Sequence, residues 1–295
     1  MELRHLRYFL AVAHEASFTR AASRLGLGQP PLSQQIKQLE QELGVRLFRR
    51  TSHGVVLSDA GRAFEPEAQR VLDDTRRAIR TAQRAGRGET GVLRVGFTGS
   101  AAFNAVVPDS IRRFRTAYPK VELTLEEATT AHLLQSLQES RLDAAFIRPG
   151  AALTAELTAE LKLHHFPDEA MKIVVASDHP LAGRTRAALV ELTNEPFVLF
   201  PREIGLSIRE TVLEACVAAG FTPRLGQEAP QISSVINLVA AALGVSIVPA
   251  AIAKVRVDGV RYLDIIGDAP RARLAVASRI GGAEATVANF LCLLD

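Results

Sequence analysis

Between Gln29 and Gln38 the side chains able to exchange hydrogen bonds fall on one side of a helical wheel. Ser33, Gln34, Lys37 and Gln38 interleave with Leu32, Ile36 and Leu39, so a polar face opposes an apolar stripe. Amide, hydroxyl and ammonium groups of this length can reach base edges and phosphate oxygens in a duplex groove. Taken alone, the same helix reads as a solvated face. Its surroundings decide between the two. Leu47-Phe48-Arg49-Arg50-Thr51-Ser52-His53-Gly54-Val55-Val56-Leu57 forms two short strands around a polar turn with cations at the tip. A basic hairpin beside a polar helix suits a wing along phosphates and a helix in the major groove. Base-edge contacts then fall to Pro30, Pro31, Ser33 and Gln34. Gln29, Lys37, Arg49, Arg50 and His53 position the backbone. For His53 a plain turn residue is a competing role.

The elements that carry these groups can be read from periodicity. Leu3, Leu6, Phe9, Leu10 and Ala13 recur at helical spacing. Ser17 or Thr19 caps a second helix, Phe18 to Leu25, which packs through Ala21 and Ala22. Gly26-Leu27-Gly28 breaks the chain before the polar helix, whose first turn tolerates Pro30 and Pro31 because its N–H groups lack helical partners. Ser58 is the expected N-cap of a long helix. Along it, Phe64, Ala68, Val71, Thr75, Ala78 and Ala82 make a heptad seam of the kind that pairs two helices. A surface helix packed on its own core is the competing reading. Pro66 is expected to kink this helix.

Gly86-Arg87-Gly88-Glu89-Thr90-Gly91 spells GxGxxG, but it follows a helix and precedes a strand. That reverses the dinucleotide-binding order, so it is read as a flexible joint. Beyond it, Val92–Phe97, a helix ending near Tyr118, Val121–Glu126, a helix over 130–140 and Leu142–Ile147 give a βαβαβ order, which predicts a parallel sheet covered by helices. Further strands are expected at Met171–Ala176, Phe197–Phe200, Val245–Pro249 and Leu274–Ser278. Helices are expected over 207–219, 233–243 and 283–294.

Composition narrows the class. The 295 residues suit two or three domains, and 47% hydrophobic with 23% charged residues is ordinary for a globular protein. No apolar run approaches the roughly 20 residues of a membrane span, and the N-terminus lacks a secretory pattern, so a cytoplasmic location is expected. Residues 1–91 hold 15 Lys and Arg against 10 Asp and Glu, whereas the remainder holds 20 against 22. A basic front suggests a polyanionic partner. Cys216 and Cys292 sit in apolar stretches and are expected as buried thiols. No nucleophile elbow, phosphate loop or metal spacing occurs, and His164-His165, on an expected strand, reads as structural. Neither an enzyme nor a metal or cofactor site is expected. A plain solute-binding protein would need a secretion signal, and an architectural DNA protein would not need some 200 further residues.

Phe18-Thr19-Arg20-Ala21-Ala22-Ser23-Arg24-Leu25, Gln29-Pro30-Pro31-Leu32-Ser33-Gln34-Gln35-Ile36-Lys37-Gln38-Leu39-Glu40 and Leu43-Gly44-Val45-Arg46-Leu47-Phe48-Arg49-Arg50 closely resemble LysR-type transcriptional regulators, at the family's spacing. Leu57-Ser58-Asp59-Ala60-Gly61 matches the start of that family's linker helix. The resemblance implies three parts: a winged helix-turn-helix over 1–58, a dimerising linker helix and hinge over 59–91, and an effector and oligomerisation domain over 92–295. The last is an α/β, periplasmic-binding-protein-like fold of two Rossmann-like subdomains. Also implied are a homodimer or a tetramer built as a dimer of dimers, a pseudo-palindromic DNA site, RNA polymerase as a partner, and regulation by a small molecule. Many relatives carry Arg where this chain has Gln34, which loses a bidentate guanine reader.

Gly96-Phe97-Thr98-Gly99-Ser100, Glu126-Glu127-Ala128-Thr129-Thr130, Phe146-Ile147-Arg148-Pro149 and Leu199-Phe200-Pro201-Arg202 resemble the branch controlling aromatic-compound or small-acid metabolism. The effector is expected between the subdomains, where helix N-termini favour anions. Candidate contacts are Ser100, Thr129, Thr130, Arg148, Phe200, Pro201 and Arg202. Helix capping competes for Ser100 and Thr130, a surface salt bridge for Arg148 and Arg202, and core packing for Phe200.

Overall fold

A computed structural model describes residues 1–51, 54–150, 153, 159–202, 204, 206–281 and 284–294. His53 lies outside the described residues. The chain forms two compact units, 1–85 and 86–295.

The first unit opens with α1 (Leu3–Glu15), α2 (Phe18–Leu25) and α3 (Gln29–Leu43). Ser17 caps α2, its hydroxyl accepting from the Arg20 N–H at 3.4 Å. Gly26 ends α2 and Gly44 ends α3, both with positive φ. Leu6, Phe9, Val12, Ala21, Leu32, Ile36 and Leu39 are buried together. The Phe9 ring lies 5.3 Å from Phe48 and 5.1 Å from Phe64, an aromatic centre for the unit. Strands β1 (Phe48–Thr51) and β2 (Gly54–Leu57) pair antiparallel from Phe48↔Leu57 to Thr51↔Gly54.

Helix α4 (Asp59–Gly86) has 28 residues, about 42 Å at 1.5 Å each. Ser58 caps it doubly. Its hydroxyl accepts from the Gly61 N–H at 2.9 Å and donates to the Arg46 carbonyl at 2.6 Å. Ser58→Ala removes both bonds and should lower the unfolding free energy by about 1–2 kcal/mol, read by urea titration. The helix continues through Pro66. The expected seam is corrected in its first half. Phe64 and Ala68 pack with Leu72 onto the unit's own core, an i, i+4, i+8 face. Val71 and Ile79 stay exposed further along.

The second unit holds β3 (Gly91–Phe97), α5 (Val106–Ala117), β4 (Val121–Glu127), α6 (Thr130–Gln138), β5 (Ala144–Ile147) and β6 (Leu161–His165). There follow β7 (Glu169–Ala176), β8 (Arg186–Ala188), β9 (Pro196–Leu199), α7 (Leu206–Ala218), β10 (Arg224–Glu228) and α8 (Ile232–Ala240). The chain closes with β11 (Ser246–Pro249), β12 (Val260–Ile266), β13 (Arg271–Ala272), β14 (Ala275–Arg279) and α9 (Ala285–Cys292). One lobe is built on the sheet β4-β3-β5-β14-β6, the other on β11-β7-β12-β8 with β13 beside β7 and with the parallel pair β9–β10.

The parallel order expected from βαβαβ holds for its three strands, in a sheet that is mixed beyond them. β3, β4 and β5 are parallel, but β14 returns from the second lobe and pairs antiparallel with both β5 and β6. Two segments therefore cross between lobes, one before β7 and one after β13. Helix α5 begins only at Val106, well past the end of β3. After β3 the chain turns, Thr98 O accepting from the N–H groups of Ala101 and Ala102, before Asn104 Oδ1 accepts from the Val106 N–H.

The joint is not loose. Gly88 is buried at φ +66°, and a Cβ there would lie 2.4 Å from the Thr286 nitrogen. Asn289 Nδ2 donates to the Arg87 carbonyl at 2.8 Å. The GxGxxG stretch is thus fastened to α9 within the second unit. Only one thiol is buried. Cys216 is fully enclosed and burial pushes its pKa up to about 11, whereas Cys292 is exposed. One rapid thiol per native chain is expected with an aromatic disulfide reagent near about pH 8, the second appearing only on denaturation. Two rapid thiols would contradict the packing around Cys216.

Candidate functional site

On α3, Gln29, Pro30, Pro31, Gln34, Lys37 and Gln38 are exposed, Ser33 is half-buried, and Leu32, Ile36 and Leu39 are buried. The face expected from the sequence is therefore the one presented to solvent. Arg49 and Arg50 are exposed on β1. Among the described residues no hydrogen bond or ion pair engages the side chains of Lys37, Arg49 or Arg50. By contrast Arg24 is held by Glu15 and Arg46 by Glu40. Unpaired cations beside an uncommitted polar face can be given to phosphate without breaking an existing contact.

Two residues that the sequence reading passed over hold this face in place. Glu40 is buried, and its carboxylate accepts from the Leu47 N–H at 2.7 Å and the Phe48 N–H at 3.2 Å, fixing the start of β1 to α3. His5 is buried on α1. Its Nδ1 accepts from the Glu2 N–H at 3.1 Å, which leaves Nε2 to donate to Gln35 Oε1 at 3.0 Å. That bond limits rotation of α3 about its axis. The only sequence signal was a polar residue at a core-facing helical position.

In the second unit a cleft of about 590 Å³ opens between the lobes, beyond the C-terminal ends of β3, β4 and β5. This is the crevice where ligands bind in open α/β sheets. It gathers Ser100, Thr129, Thr130, Arg148 and Phe200 from the expected set, and excludes Pro201 and Arg202. Pro201 is half-buried, and Arg202 is exposed with no partner among the described residues. Thr129, not Thr130, is the N-cap of α6, accepting from the His132 N–H at 3.3 Å. Ser100 caps no helix, because α5 starts at Val106.

Arg148 is corrected most. It makes no surface salt bridge and presents no free fork. Only 3% exposed, it donates from Nη2 to Glu169 Oε2 and to the Ser100 carbonyl, each at 3.1 Å, and from Nη1 to the Arg273 carbonyl at 3.2 Å. Burial draws its pKa down, against the pull of the Glu169 carboxylate. Among the described residues its Nε has no partner, and neither does the buried Thr98 hydroxyl on the same wall. Glu169 also accepts from Asn104 Nδ2 at 3.0 Å and from the Ala251 N–H at 2.6 Å. It therefore joins groups from both lobes beneath the cleft.

Two helix N-termini reach this cleft, one from each lobe. The first turns of α6, at Thr130 and Ala131, and of α8, at Ile232 and Ser233, both line it. Gln231 precedes α8 without capping it. Orphan N–H groups and the helix dipoles give both turns an affinity for anions. Phe103, Phe200, Ile204 and Ile208 supply apolar wall. The α8 contribution went unread because Gln231 and Ser233 carry no charge to mark it.

A winged helix-turn-helix joined to a two-lobed ligand-binding fold defines a DNA-binding transcriptional regulator with a small-molecule domain. Residues 3–62 match the model for bacterial regulatory helix-turn-helix proteins of the lysR family, and residues 86–294 match the LysR substrate binding domain. The chain belongs to the LysR family. It is 40% identical to the transcriptional regulator YnfL of Escherichia coli, covering 90% of this chain and 88% of that one. It is 36% identical to BudR of Raoultella terrigena, covering 99% of each. Full-length CbnR complexed with its target DNA superposes with a TM-score of 0.81 at 27% identity, covering 100% of this chain and 98% of that one. These relatives are named as regulators, and the chain is a regulator rather than an enzyme. No helix among the described residues is long and apolar enough to cross a membrane.

Proposed function

We propose that this regulator reads a pseudo-palindromic promoter site through α3 and the wing, and that a small carboxylic or aromatic acid in the interlobe cleft changes the outcome. The observation that carries the reading is the pairing of two solvent-facing sites: a polar α3 face with unpaired cations, and a cleft with orphan donors at two helix N-termini. Pro30, Pro31, Ser33 and Gln34 contact base edges. Gln29, Lys37, Arg49, Arg50 and His53 contact the backbone. Thr98, Ser100, Thr129, Thr130 and the Arg148 Nε receive the acid, with Phe200 as wall. The exposed second half of α4 pairs two chains, and the effector domains complete a tetramer that acts in the cytoplasm with RNA polymerase. Control of aromatic-compound or small-acid metabolism fits the resemblance of the cleft-lining stretches. The acid acts by preferring one arrangement of the lobes, since equal affinity for both would shift nothing.

The test is a gel-shift series on the protein's own upstream DNA with salt varied, run with and without a panel of small acids. Each phosphate contact contributes about 0.9 to the slope of log K against log salt. Lys37→Ala should therefore flatten the slope by about that amount on every DNA sequence. Ser33→Ala should instead weaken the specific site more than random duplex. Equal affinity for all duplexes at moderate salt would end the proposal.

A further inference from the structure

We propose that the effector is a monocarboxylate with an apolar body that also carries a positively charged donor, an apolar α-amino acid in form, with its ammonium placed on Glu127. The inference rests on the interlobe cleft being the effector site.

Glu127 and Arg148 are the only ionisable side chains lining the cleft among the described residues. Arg148 is already matched by Glu169 at 3.1 Å, so its charge is spent within the protein. Glu127 has no partner among the described residues, whereas its neighbour Glu126 faces His132 at 3.3 Å. The cleft thus carries one carboxylate, solvent-exposed on its wall, with no counter-charge among the described residues. A dicarboxylate entering it would bring two more negative charges into a confined space, and a simple monocarboxylate would bring one. A zwitterion brings none net, gives Glu127 a cationic partner, and leaves its own carboxylate to the hydroxyls and helix N-termini of the cleft.

The geometry agrees. Glu127 ends β4 in register with Phe97 at the end of β3. Its Oε1 lies where a side chain at position 99 would be, 2.7 Å from the Cβ that Gly99 lacks. The carboxylate therefore sits over the Thr98–Ser100 turn, next to the α6 N-terminus. The Thr98 hydroxyl and the Arg148 Nε are both buried without a hydrogen-bond partner, in residues only 7% and 3% exposed. Both point to a polar ligand group at this end of the cleft. A carboxylate and an ammonium on adjacent carbons would meet these donors and Glu127 together. Phe103, Phe200 and Ile208 would surround the apolar remainder.

Isothermal titration of the full-length protein would compare matched pairs: L-leucine with 4-methylpentanoate, L-phenylalanine with 3-phenylpropanoate, and hexanedioate as the dianion. Each amino acid should bind about tenfold tighter than its partner lacking the amino group, with the dianion weakest. Glu127→Gln should bring each pair to within about threefold, mainly by weakening the amino acid. Gly99→Ala, which displaces the Glu127 carboxylate, should narrow the ratio in the same direction. An equal or reversed preference in the wild type, or a ratio unchanged by Glu127→Gln, overturns the inference. If acids without an amino group bind as well and Thr98→Val weakens them, the cleft stands as the site and only the zwitterion is lost. If no compound of either kind binds, both readings fall.

Discussion

Glu169→Ala should lower the unfolding free energy of the second unit by about 3–5 kcal/mol, because it leaves a buried guanidinium without its counter-charge. Three groups lose an acceptor at once: Arg148, Asn104 and the Ala251 N–H. Arg148 is too enclosed to recover hydration by a side-chain rotation, and its guanidinium does not deprotonate in proteins. Urea unfolding followed by circular dichroism reads the loss. Replacing both partners, as Arg148→Met with Glu169→Leu, removes the stranded charge and should return most of the stability while abolishing acid binding in the cleft. A single Glu169→Ala change costing less than about 1 kcal/mol would show that water reaches Arg148 and that Glu169 does not hold the groups beneath the cleft together.

Gly88→Ala should destabilise the second unit by more than the roughly 1–2 kcal/mol that left-handed backbone costs an L-residue. The added methyl would sit 2.4 Å from the Thr286 nitrogen and 2.5 Å from the Ala285 carbonyl carbon, so backbone rather than a side-chain tip has to move. Gly86→Ala is the control. Nothing lies within 4 Å of a Cβ there, and the residue closes α4, where alanine is the better helix former. Limited proteolysis should cut the 86–91 stretch faster in Gly88→Ala than in the wild type. If the two variants unfold alike, the joint is not fastened to α9.

How much of this was legible depends on how local each cause is. The helix-turn-helix could be read because its determinants are neighbours in sequence: Ser17 and Ser58 as caps, the Gly26 break, the prolines opening α3, and the polar face between buried leucines. The α4 seam was half wrong because a spacing of four then three also describes a helix lying on its own core. Leu72, one residue beyond Val71, decided the matter. The Arg148–Glu169 pair was invisible because the partners stand 21 residues apart on different lobes. β14 was recognisable as a strand, but nothing local says that a segment so near the C-terminus inserts between β5 and β6. Arg202 was overvalued, since an arginine in a loop reveals its charge but not its direction. Glu127 was not singled out because it stands beside an equally acidic neighbour, and only the contacts separate the two.

Strand β3 is tied at one end by Gly88 against α9 and at the other by the Thr98 turn in the cleft wall. Between these moorings Leu93 and Val95 point into the core while Arg94 points out. Side chains alternate with a period of two, so losing or gaining one residue here would expose both core positions and bury a guanidinium. The span from 88 to 98 is accordingly a fixed ruler. Divergent copies of this gene can change its letters, but should hold its length while loops elsewhere in the effector domain grow and shrink.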